Sequence, residues 1–227
     1  MSSKRSRIVA ALGVIVGLAA AILFAASFPA VEGLGTKVRL PVFHGAATWV
    51  NLAAFALLGL AAVLWLARKR EMIYRWEEAL RWVSVGMWTT GTVLGLLAAM
   101  NTWDFTGSKS SRWSVVSADP RLMAQFWILL AGLLVVAVGL MIEDRKWLAA
   151  IDVGFVLLAW LVLLRAILGP GRALHPDSPV LNSEELLIKL LFFGIVGSLA
   201  VATLAGAWLI VQLRSGTSGD DLVEATA

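Results

Sequence analysis

The feature that most constrains this chain is a series of long apolar runs with almost no charge in them, the first at residues 8–28. A helix needs about 20 apolar residues to cross the hydrocarbon layer, and a soluble core has no room for several runs of that length. Hydrophobic residues make up 59% of the sequence and the mean hydropathy is +0.84, above the ~45–50% apolar content of soluble domains. Spans are expected at 8–28, 44–66, 83–100, 121–142, 147–168 and 184–213. Between the second and third, Met72, Ile73, Trp76 and Leu80 alternate at helical spacing with Arg75, Glu77, Glu78 and Arg81, the pattern of a helix lying in the headgroups. The expected fold is therefore all-α: a polytopic membrane bundle of six transmembrane helices plus a short interfacial helix near 70–82. Residues 1–213 form one membrane domain, and the Gly-, Ser- and acid-rich segment 214–227 reads as a disordered cytoplasmic tail.

The first run is longer than the ~7–15 apolar residues of a signal peptide, so a retained helix is expected. Gly13, Gly17, Ala21 and Ala25 recur every fourth residue, as do Gly91, Gly95 and Ala99 in the third span and Gly194, Ser198, Ala202 and Gly206 in the sixth. Such stripes let helices approach closely.

Six spans place both termini, the 68–82 connection and the 143–146 turn on one side. That side holds Lys4, Arg5, Arg7, Arg68, Lys69, Arg70, Arg75, Arg81, Arg145, Lys146 and Arg214, eleven cations. The opposite side holds six: Lys37, Arg39, Lys109, Arg112, Arg121 and Arg172. The excess makes the first side the cytoplasmic one, and the expected location is the cell inner membrane, as a multi-pass protein.

No cysteine is present, which excludes disulfides, thiolate metal sites, cysteine nucleophiles and covalent c-type haem attachment. The only histidines are His44 and His175, and the topology puts both at the outer ends of spans. Imidazole is the commonest protein ligand to iron. Arg39 precedes His44 by five residues and Arg172 precedes His175 by three; a guanidinium fork suits a carboxylate. Two imidazoles on one non-covalent haem b, with arginines on its propionates, is one reading. Ordinary polar residues at a membrane boundary is the other. Asp119 followed by Pro120 reads as a helix N-cap with proline at N1, and Arg121 in the next position opposes the helix dipole and calls for an anionic partner. Asp152 and Arg165, near opposite ends of the fifth span, are expected to reach the headgroups.

The segment Arg39…His44-Gly45-Ala46-Ala47-Thr48-Trp49 resembles the Arg…His-x-Pro-Ala-Ala-Trp motif of the CcmC-type haem-handling proteins of cytochrome c biogenesis. Asp119-Pro120-Arg121-Leu122 is similar to the Asp-x-Arg-Leu end of that family's tryptophan-rich segment, and Leu174-His175-Pro176 to its second external histidine. Of the tryptophan run only Trp113 is present, with Trp103 upstream. The resemblance implies haem ligation by His44 and His175 and propionate contacts from Arg39 and Arg121. It also implies an aromatic platform to which Trp49 and Trp113 belong, and ABC transporter subunits and a haem chaperone as partners. It points to a non-enzymatic subunit that binds membrane lipids and haem and no nucleic acid. A b-type cytochrome anchor of a quinone oxidoreductase and a haem-free scaffold or transporter component are the alternatives.

Overall fold

A computed structural model describes residues 3–224 except 104, 107–109, 170–179 and 181, with side-chain surroundings from Lys4 to Ser215. The described residues are helical with no strand, and six of the helices are long and apolar enough to cross a membrane. These are α1 (Ser3–Ala26), α2 (Arg39–Arg68), α3 (Glu71–Thr102), α5 (Pro120–Gly139), α6 (Arg145–Leu168) and α7 (Leu186–Glu224). A five-residue helix, α4 (Arg112–Val116), lies in the connection before α5.

Consecutive spans run in opposite directions, but they do not pack in sequence order: α1 lies chiefly against α7, and α2 touches α3, α6 and α7. We call the end holding the starts of α2, α5 and α7 the upper end, and the end holding Lys4 and Ser215 the lower. The small-residue stripes of the first and sixth spans meet each other. A Cβ on Gly17 would lie 2.8 Å from the Ser198 carbonyl and 2.9 Å from Ala202, and one on Gly13 would lie 2.9 Å from Ala205. Glycine there lets two backbones touch, which is how helices associate where apolar burial alone gives no preference over lipid. One apolar cluster, including Phe55, Leu58, Val85, Ile128 and Phe155, fills the centre between α2, α3, α5 and α6. A second, with Phe28, Val42, Val50, Phe192 and Ile195, fills the upper end between α1, α2 and α7.

Two expectations about helix limits are corrected. The segment near 70–82 is not a separate interfacial helix; it is the first third of α3, which runs unbroken for 32 residues. No glycine or proline interrupts it before Gly86, and nothing else stops a helix rich in Glu, Arg, Leu and Met. Its polarity is also redistributed, because Glu77 and Arg81 are buried whereas Met72 is exposed. The second correction is at the start of α2, which begins at Arg39 instead of His44. Pro41 falls within the first turn, where a backbone N–H has no intrahelical acceptor and proline does no harm. His44 is thereby inside a helix and no longer at its edge. The backbone of α7 likewise continues past Leu213, to Glu224.

Candidate functional site

His44 stands in the second turn of α2 and is 4% exposed. Its Nδ1 lies 3.0 Å from the Gly91 carbonyl of α3. A carbonyl only accepts, so Nδ1 carries a proton directed at it. Nε2 faces the Gln125 amide of α5, with Nε2 to Nε2 at 3.4 Å. Gly95 makes the seat possible: a Cβ there would come within 2.7 Å of His44 Cε1 and 3.0 Å of Gln125 Oε1. Trp88 ties α3 to α5 by donating its indole N–H to the Gln125 carbonyl at 3.0 Å. Beside this seat lies a cavity of about 10 Å³ lined by Thr48, Asn51, Thr92 and Gln125 among others. Neither side-chain atom of Asn51 has a hydrogen-bond partner, nor does Gln125 Oε1. The space is close to the volume one water needs.

A larger hollow, about 520 Å³, opens at the upper end beneath the α3–α5 connection. Its lining includes Lys37 from the 3₁₀ turn before α2, Met100 and Trp103 from the end of α3, and Phe105 and Arg112 from the connection. The Arg112 guanidinium sits 5.5 Å from the centre of the Phe105 ring. Two cations above aromatic walls suit a flat, apolar molecule with acidic groups at one edge.

The residues singled out from the sequence are not gathered around this hollow. Arg39 Nε donates to the Phe28 carbonyl at 3.1 Å. Trp49 is half-exposed and meets Phe192 and Phe193 of α7 edge-on. Trp113 is also half-exposed, edge-on to Phe126. Asp119 is the N-cap of α5, accepting from the Arg121 and Leu122 N–H groups at 2.9 and 3.0 Å. Arg121 keeps a buried Nε with no hydrogen-bond partner. His175 and Arg172 lie outside the described residues, so the pairing of the two imidazoles does too. No family model, curated protein or solved structure matches this chain. Gln125 went unnoticed in the sequence, although it is an amide in an otherwise apolar run, one turn after Arg121. Lys37 and Arg112 carried no local signal beyond their charge.

At the lower end the picture of two charges reaching the headgroups is overturned for Asp152. It is fully buried and takes Arg81 Nε and Nη2 at 2.8 and 2.6 Å. Arg165 is exposed. Around this core the surface charges latch helices together. Arg145 pairs with Glu71 at 2.6 Å, Arg214 with Glu78, and Arg75 donates to Ser215 Oγ at 2.7 Å.

Proposed function

We propose that this chain is a non-enzymatic haem-handling subunit of the cell inner membrane. It would hold haem b non-covalently at the upper end, on the extracytoplasmic face, and deliver it for cytochrome c maturation, with both termini in the cytoplasm. The observation that carries this reading is the upper hollow, whose size falls in the ~300–1,000 Å³ range of small-molecule sites and whose walls combine Trp103 and Phe105 with Lys37 and Arg112. The unpartnered Arg121 Nε is the kind of group a propionate satisfies. His44 does not line the hollow, so ligation by it requires the ring to leave its place against Gly91 and Gln125. ABC transporter subunits and a haem chaperone are the partners the likeness to CcmC-type proteins proposes.

The test is an absorption spectrum of the purified full chain in mild detergent after incubation with haem. A Soret band is expected, lost in both His44→Ala and His175→Ala and weakened in Arg112→Ala. No band in the wild type after loading sinks the proposal. One observation favours a b-type cytochrome anchor instead: His44 lies within a span and is covered by two neighbouring helices, the position such anchors use. Reduction of a tightly held haem by added quinol would support that reading.

A further inference from the structure

Near the lower end α3 and α6 bring three ionisable side chains into the interior: Glu77 and Asp152 at 0% exposure and Arg81 at 2%. Arg81 belongs mainly to Asp152. Its Nε lies 2.8 and 2.9 Å from the two carboxyl oxygens, and its Nη2 lies 2.6 Å from Oδ2. Toward Glu77 it offers one long contact, Nη2 to Oε1 at 3.5 Å. Glu77 Oε2 receives no donor, and Glu77 Oε1 and Asp152 Oδ2 lie against the same Arg81 Nη2, which sets the two carboxyl groups side by side.

We propose that Glu77 and Asp152 share one exchangeable proton and, clamped by Arg81, form a proton-binding site in the bundle. Two buried carboxyl groups set side by side resist ionising together. One guanidinium neutralises one of them, and a second buried carboxylate without its own cation is strongly disfavoured. With a single proton on the pair the three side chains sum to zero charge, and a proton on the Glu77 oxygen that lacks a donor removes its need for one. The surrounding charges do not alter this count. Glu78 and Tyr74 of α3 face the site, but Glu78 is paired with Arg214 of α7. Arg145 of α6 lies over the Tyr74 ring, 4.2 Å from its centre, and pairs with Glu71. From α5 the neighbour is Gly139, which brings no charge; a Cβ there would meet Arg81 Nη1 at 3.3 Å.

Toward the upper end the site is closed off by Phe55, Val85, Trp88, Ile128 and Phe155. The site stands two to three turns from the start of α3 and of α6, so the lower side is the nearer source of protons, and the site is separate from the His44 seat. Release of the proton leaves two carboxylates side by side at the α3–α6 junction, so occupancy of the site controls how tightly those two helices are held. This inference does not rest on the haem reading.

Infrared spectroscopy of the full chain in detergent at neutral pH tests it, through the carbonyl stretch of a protonated carboxylic acid. The band is expected in the wild type and lost in Glu77→Gln, whose thermal midpoint stays close to the wild-type value because the amide replaces a neutral acid. It is also expected to be lost in Asp152→Asn, although Glu77 is retained, because Arg81 then takes Glu77 as its counter-ion. A merely structural ion cluster predicts no such band. Absence of the band from the wild type, or its persistence in either variant, overturns the proposal, as does a Glu77→Gln midpoint lowered as far as that of Asp152→Asn.

Discussion

At His44 three residues of other helices decide what a single imidazole can do. The Gly91 carbonyl accepts the Nδ1 proton, Gln125 faces its second nitrogen, and Gly95 leaves the space it fills. Gly95→Ala therefore pushes a methyl group into both side chains and is expected to destabilise the protein by about 1–3 kcal/mol, the usual range for overpacking. Thermal unfolding in detergent measures this, and Gly86→Ala, which meets nothing within 4 Å, is the control. Asp119 supports a second prediction. Its carboxylate satisfies two backbone donors of α5, so Asp119→Ala should lower stability by about 0.5–2 kcal/mol while Asp119→Asn keeps most of the cap. Asp119 was legible in the sequence because a cap is a local device. The surroundings of His44 were not, since its partners lie 47 and 81 residues away.

For the helices, the distinction is between faces marked by periodicity and faces chosen by a partner. The stripes on α1 and α7 are visible as four-residue repeats of small side chains, and they do pack on each other. Gly17→Ile should separate those helices, because a branched side chain has no space against the Ser198 carbonyl; cross-linking between cysteines introduced at positions 13 and 205 reads the loss. In α3 periodicity misleads. Its first turns look amphipathic, with Glu77 and Arg81 on a solvent face, but Asp152 supplies a counter-charge from α6 and draws that face inward. Replacing Arg81 with Met removes a charge from between two carboxyl groups. Breaking a buried ion pair in this way typically costs about 3–5 kcal/mol, and the α3–α6 junction should show it first in hydrogen exchange.

Among the described residues the lower end is bound by ion pairs between α3, α6 and α7, while the upper end is held by two apolar clusters, one of which borders the hollow through Met100, Trp103 and Phe105. If the hollow takes haem, Trp103→Ala should weaken haem retention more than Phe126→Ala, which thins the same apolar cluster of Ala99, Val116 and Leu122 without lining the hollow; a spectral titration paired with a thermal melt compares the two. The sequence by itself determined the six spans and their alternating directions, because hydropathy and chain connectivity are properties of one segment at a time. It also marked Asp119 as a cap and the glycine stripes as contact faces, since both follow from spacing within one helix. Only the tertiary structure decided that His44 is an interior side chain, that Glu77, Arg81 and Asp152 meet, and that Lys37 and Arg112 face a common hollow. Those facts depend on which helices stand side by side, and a charge or an imidazole is placed inward or outward by the partner it finds across the bundle.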